Sequence, residues 1–272
     1  MLTLYEELVT FRGSSPFKQY IPSKPGRYGI KVWILSDSKS SCVYNMETYI
    51  GKTPNAGREV SLGKKVVLDL LEGTDAAGHN VTCDNFFTSL SLARKLLTKN
   101  VTLMGTIRRN KPELPPEMVS TKERKPFTTM FGFQQDCMIV SYCPKKNKIV
   151  NLLSTLHSES KVDTSNEQRK PEVILTYNET KAGVDTMDQM TRTYSCKRKT
   201  RRWPLVVFYN MLDISAINAY VIWKALNPNW NSNKLQKRRL YLLQLGKELA
   251  GVSEEAIQKT VSKQEKLPLN HQ

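Results

Sequence analysis

Hydrophobic and polar positions alternate over residues 2–9 (L-T-L-Y-E-E-L-V), which predicts a β-strand. A basic stretch rich in Pro and Gly, F-R-G-S-S-P-F-K-Q-Y-I-P-S-K-P-G-R, follows and reads as loop. Tyr28–Asp37 and Ser41–Tyr49 read as two strands joined by a polar turn. Val60–Glu72 places apolar residues at helical spacing, with Gly63 as its one weak position. Asn80–Asp84 is a short strand, Thr88 or Ser89 suits the cap of a helix running to about Lys99, and Val101–Ile107 is a further strand. The order over this first part is therefore β-β-β-α-β-α-β.

The pattern changes near Arg108. R-R-N-K-P-E-L-P-P-E is full of breakers, and residues 109–172 are polar, with one hairpin expected at Met138–Ser154 around P-K-K-N-K. Regular structure resumes at Val173–Tyr177, followed by an acidic helix at 181–190. Pro204 is placed to open a long apolar helix to about Leu226, since proline is favoured in the first helical turn. A last helix fills Asn233–Ala250. The apolar stretch Leu205–Trp223 is interrupted by Asn210, Asp213 and Asn218, so it reads as a buried helix and no membrane partner is expected. The expected organisation is a core in two parts, 1–108 and 173–190, with an inserted subdomain at 109–172 and a helical region at 191–272.

Charge changes the picture more than composition does. The chain of 272 residues carries a formal net charge of +16, with a pI near 9.6 and a mean hydropathy of −0.45. So large an excess points to a polyanion, most often nucleic acid. The charge is clustered: Lys197, Arg198, Lys199, Arg201 and Arg202 fall within six residues. Five cysteines, an odd number without a C-x-x-C pair, argue against a disulfide framework or a zinc ribbon, and the three histidines are scattered. The N-terminal residues are too acidic, and their apolar run too short, for a signal peptide.

Just before the basic run, Asp185 and Asp188 stand three apart, on one face of the expected helix. Two carboxylates on one face repel unless a proton or cation lies between them, and a divalent metal suits carboxylate oxygens. Asp84, where a strand gives way to the next helix, is either a third acid or a local cap. The motifs F-R-G, Y-I-P-S-K-P-G-R-Y-G-I-K, T-C-D-N-F-F-T-S-L, V-T-L-M-G-T-I-R, Y-N-E-T-K-A-G-V-D-T-M-D-Q-M and R-K-T-R-R-W-P run in order from near residue 4 to near residue 225. Together they resemble the catalytic core of piggyBac-type transposases. The resemblance implies an α/β fold: an RNase H-like mixed sheet with helices, interrupted by an insertion and followed by a C-terminal helical region. It implies DNA cleavage and strand transfer with Mg²⁺ held by carboxylates, with Asp84, Asp185 and Asp188 matching the family's acids as catalytic and metal-binding residues.

The departure from the family lies in the first strand. Where the family has Asp-Glu, this chain has Leu4-Tyr5-Glu6-Glu7, with Tyr5 at the Asp position. A tyrosine is neutral at pH 7 and a poor Mg²⁺ ligand. Glu6 should face the other side of the strand, and Glu7 returns to the right side about 7 Å further along. The expected function is therefore a transposon-derived DDE core that binds DNA and has lost cleavage and strand transfer. An active nuclease or transposase with a substitute ligand, and a domesticated protein-interaction scaffold, are the alternatives. Arg192, Lys197, Arg198, Lys199, Arg201 and Arg202 are the expected phosphate contacts, and Lys18, Lys24, Arg27 and Lys31 are candidates for the same face. The expected partners are DNA and a second copy in a homodimer, with no small-molecule cofactor, in the nucleus. The family's N-terminal helical region and its Cys-rich zinc module are not expected in this chain.

Overall fold

The computed structural model describes residues 1–51 and 61–252, and within one helix it leaves the side chains of residues 182–185 outside that description. The chain divides into two compact units, Met1–Ile214 and Ser215–Gln272.

The first unit is built on one mixed sheet of nine strands among the described residues. They are β1 (Leu2–Thr10), β2 (Gln19–Tyr20), β3 (Tyr28–Asp37), β4 (Val43–Thr48), β5 (Asn80–Cys83), β6 (Thr102–Thr106), β7 (Thr129–Gln134), β8 (Cys137–Lys145) and β9 (Lys148–Ser154). The order is β2-β3-β1-β5-β6-β9-β8-β7, with β4 also pairing β3. β1 runs antiparallel to β3 and parallel to β5, and β5 runs parallel to β6. This is the RNase H-like mixed sheet expected above. Parallel β1 places Leu4 opposite Cys83, so Tyr5 and Asp84 come next along their strands at the same level.

Strand alternation sorts β1 between two faces. Leu2 and Leu4 join Trp33, Leu35, Val81 and Cys83 in a core under α1 (Leu62–Leu71) and α2 (Leu90–Leu97). The other face takes α4 (Glu172–Thr193), whose Val173, Ile174 and Tyr177 pack on Met104, Val140 and Leu152. Tyr5 and Glu7 follow the second periodicity and Glu6 the first. Farther along α4, the Thr82 hydroxyl donates to that of Thr180 at 3.0 Å, stitching β5 to the helix. Close crossings need glycine in places: a Cβ on Gly29 would stand 2.4 Å from the Val9 carbonyl oxygen.

Several elements differ in extent from expectation. Val173–Tyr177 and the acidic segment are one continuous 22-residue helix, α4, because no breaker separates them after Pro171. Residues 109–172 contribute a short helix, α3 (Pro116–Val119), and three strands, of which β9 pairs β6 and so extends the common sheet. Val60 lies outside the described residues, and the helix there begins at Leu62. α5 (Trp203–Leu226) starts one residue before Pro204 and is only partly buried, with Phe208, Met211 and Leu212 exposed. It is the one described helix long and apolar enough to cross a membrane, by length and composition alone. Asn210 and Asp213 mark its buried polar side.

In the second unit, the rest of α5 meets α6 (Lys237–Leu249) through Tyr220, Trp223, Trp230 and Tyr241, whose ring centroids lie 5.6–6.4 Å apart. Offset and edge-on packing at this spacing is the favoured geometry for aromatic pairs. α6 has no buried residue.

Candidate functional site

Tyr5 is buried within the sheet, at 5% exposure, with Ile34 as its partner on β3. Its hydroxyl faces that of Ser36 without a hydrogen bond of good geometry. Burial, then the carboxylates of Glu7 and Asp188, hold its phenol well above the usual tyrosine range. The Tyr5 side chain is therefore un-ionised at any physiological pH.

Asp188 reaches this place from α4. Its Oδ2 lies 3.6 Å from the Lys24 ammonium and 3.3 Å from the Arg192 guanidinium. Lys24 also donates to the Glu6 carbonyl oxygen at 2.8 Å, which fixes it against β1. Two cations thus balance this carboxylate. The Asp185 side chain lies outside the described residues; its backbone sits in α4 one turn before Asp188.

Asp84 closes β5. Its Oδ1 accepts from the Phe86 amide at 2.7 Å, and its carbonyl oxygen accepts from the Thr88 hydroxyl at 2.8 Å. It shapes a local turn; the cap of α2 is Ser89, which accepts from Leu92. Although the residue is exposed, its carboxyl stands in a crowded cleft. Its pKa is raised, first by desolvation there and then by Glu6, against the pull of the Phe86 and Phe87 amides and Arg108. The cleft, of about 290 Å³, is lined by Tyr5, Glu6, Lys24, Asp84, Tyr177 and Lys181 among others. A larger one of about 790 Å³ holds Asp188 and Arg192 and shares Lys24 and Lys181 with the first. The two lysines therefore lie between the two described aspartates, a feature sequence reasoning missed. Lys24 and Lys31 were candidates for the same face as the basic run; Lys24 instead meets Asp188, and Lys31 pairs with Glu6 at 2.6 Å.

Glu7 shares the Tyr5 face, as alternation requires, but turns toward the helices. The Asn210 amide donates to both its oxygens, at 3.3 and 3.2 Å, and the Thr191 hydroxyl donates at 3.3 Å. Burial and the nearby Asp188 push its carboxyl up to about 7, against these hydrogen bonds. Asp213, one turn beyond Asn210, accepts from the Ser195 hydroxyl and from the Cys196 amide at 2.8 Å. These contacts fix the irregular segment between α4 and α5. The interruption of an apolar helix by Asn210 and Asp213 was the available signal for this cluster.

The basic run divides by environment. The Lys197 ammonium donates to the Thr10 carbonyl oxygen, and Arg192 sits on Asp188. Arg198, Lys199, Arg201 and Arg202 are exposed. Trp203 packs edge-on to Phe17, centroids 4.8 Å apart, so it anchors the start of α5.

The described residues do not fit a divalent ion. No group of three or more acidic, His or Cys side chains is gathered among them. Tyr5, near Asp188, is a neutral phenol, and Asp188 already has two cations against it.

A mixed sheet with Asp84 at the end of β5 and Asp188 on the helix packed against it is the layout of a DDE-type transposase fold. A family model described as Transposase IS4, of the DDE class, matches residues 1–220. Human PiggyBac transposable element-derived protein 2 is 24% identical over 245 residues, covering 85% of this chain and 40% of that protein. Human PiggyBac transposable element-derived protein 3 is 25% identical over 225 residues, covering 76% and 38%. A solved piggyBac transposase synaptic complex with hairpin DNA superposes with a TM-score of 0.83 and 36% identity, covering 98% of this chain and 54% of that one. The chain belongs to the piggyBac-type transposase family, and it spans well under half the length of these two human relatives.

Proposed function

We propose that this chain is a DNA-binding piggyBac-type core in which DNA cleavage and strand transfer have been lost. The observation that carries the reading is the buried, un-ionised Tyr5 where the family places its first acid, beside an Asp188 balanced by Lys24 and Arg192. The family uses divalent metal ions, and in this chain Asp84, Asp185 and Asp188 stand at the matching positions. The neutral phenol and the two cations argue against an ion held as the family holds it. Glu7 is the one acid on the Tyr5 face that could substitute, and it is committed to Thr191 and Asn210.

DNA would be held by phosphate contacts from Arg198, Lys199, Arg201 and Arg202, with Arg192 and Lys197 as supports tied to Asp188 and Thr10. A relative solved with hairpin DNA supports this partner. The same exposed run suits nuclear import. Four phosphate contacts give a slope of log affinity on log salt of about −4. A homodimer is the second expected partner, and the scaffold reading rests on the exposed Phe208, Met211 and Leu212 of α5.

The decisive experiment is Mg²⁺- and Mn²⁺-dependent nicking of DNA by the purified chain beside its Tyr5→Asp variant. The expected result is silence in the parent. Cleavage by the parent that disappears in Asp84→Asn would overturn the proposal in favour of an active enzyme with a substitute ligand.

A further inference from the structure

The β2–β3 hairpin carries an aromatic and basic surface of its own. Tyr20 and Tyr28 are direct partners across the two strands, so their side chains leave the same face. Their rings stand 4.7 Å apart at 36°, and they are 54% and 45% exposed. Beside them is a hollow of about 610 Å³ lined by Arg12, Lys18, Pro25, Gly26, Arg27 and Tyr28, with no acid in its wall. The Lys18 ammonium sits 5.9 Å from the Tyr28 ring centroid and also donates to the Gly13 carbonyl oxygen at 3.0 Å.

The hollow is a built feature of the loop. A Cβ on Gly26 would stand 2.5 Å from the Thr10 hydroxyl, so glycine lets this turn lie close against the end of β1. Arg27 is held in the left-handed region, at φ 53°, between hydrogen bonds from the Ile21 amide to its carbonyl and from its own amide to Lys24. The surface also joins the basic segment: a Cβ on Gly13 would meet the Arg201 carbonyl oxygen at 2.7 Å, and Phe17 packs on Trp203. Arg12, Lys18 and Arg27 therefore continue the positive surface that begins at Arg198.

We infer that the β2–β3 hairpin binds unpaired DNA, stacking a base on the Tyr20–Tyr28 pair while Arg12, Lys18 and Arg27 hold the flanking phosphates. Stacking on an aromatic platform with cations alongside is how single strands are bound without reading sequence, because every base offers a π-face. The hollow is within the range of sites that enclose a small ligand, a size that suits one flipped nucleotide. The inference rests on the DNA-binding reading above and adds to it the strand form that this surface selects.

The test uses the full chain with two probes of equal length, a single-stranded oligothymidylate carrying one 2-aminopurine and the corresponding duplex. The parent should quench 2-aminopurine emission on binding the single strand. Tyr20→Ala/Tyr28→Ala should weaken single-strand affinity about tenfold or more and abolish the quench, with duplex affinity within twofold of the parent. Tyr20→Phe/Tyr28→Phe should retain both, since stacking needs the ring and not the hydroxyl. Arg198→Ala/Arg202→Ala should weaken duplex binding and leave the quench at saturation intact. Unchanged single-strand binding in the alanine variant overturns the inference while duplex binding stands, as does equal loss in the phenylalanine variant. No binding of either probe at low salt overturns the DNA-binding reading itself and this inference with it.

Discussion

Glu7→Gln should stabilise the protein at alkaline pH and leave it nearly unchanged in acid. Glu7 is 7% exposed and its carboxyl is pushed up to about 7 from an ordinary 4.5, first by burial and then by Asp188. Below 4.5 the carboxyl is protonated in both folded and unfolded chains and costs nothing. Between 4.5 and about 7 the folded chain binds more protons than the unfolded one, so stability falls as pH rises; above 7 the loss is complete. At about 1.36 kcal/mol per pH unit, the gap amounts to about 3 kcal/mol. A glutamine keeps an acceptor for Asn210 and Thr191, and its new amide can donate to the Asn210 oxygen, which is buried without a hydrogen-bond partner. In a chain of this size, about 3 kcal/mol corresponds to roughly 5–10 °C in Tm. Thermal unfolding of parent and variant at pH 5 and pH 8 gives the assay. The expected gain is large at pH 8 and small at pH 5. A gain of equal size at both, or a loss at pH 8, would show that Glu7 is not held as a strained acid.

Asp213→Ala should release the segment that Ser195 and Cys196 tie to α5, costing about 1–3 kcal/mol and speeding amide exchange and proteolysis between residues 195 and 202. Gly29→Ala should lower stability by about 1–3 kcal/mol in denaturant unfolding, because its Cβ would meet the Val9 backbone and not a side chain that can swing away. Ser89→Ala should cost about 1 kcal/mol by removing the cap on the Leu92 amide, with no change in DNA affinity.

The sheet was legible in the sequence wherever one face is buried. Strand alternation over residues 2–9 marks β1, sorts Tyr5 and Glu7 from Glu6, and agrees with the two cores found on opposite faces. β7 was not legible: T-M-F-G-F-Q carries a glycine, and its partner β8 supplies the context that makes it a strand. The spacing of Asp185 and Asp188 on one helix could be read, but not what surrounds Asp188. Lys24 comes from a loop 164 residues away in the chain, and no periodicity signals such an approach. Glu7 looked like a spare acid because alternation gives its face but not its rotamer. Only the packed structure reveals that Asn210 and Thr191 claim it.

The charge around Tyr5 bears on how the Tyr5→Asp experiment must be read. An aspartate there would be a further carboxylate in a buried place already shared by Glu7 and Asp188, and it would leave part of the phenol's volume empty. Repulsion and the cavity both destabilise, so silence in a nicking assay has two explanations: acids that do not assemble, and a core that does not hold. Stability separates them. In the presence of a chelator Tyr5→Asp should melt below the parent. If Asp84 and the α4 acids are correctly spaced around the new carboxylate, Mn²⁺ should then raise the variant's Tm, by roughly 5–10 °C at a hundredfold excess over its Kd, a stabilisation of about 2.7 kcal/mol. The parent, with a neutral phenol in that place, should not respond. A rise in both proteins would mean that the parent already holds an ion and would overturn the inactive reading without any cleavage being measured. A rise in neither would mean that the acids do not assemble around position 5, with Lys24 and Arg192 held against Asp188.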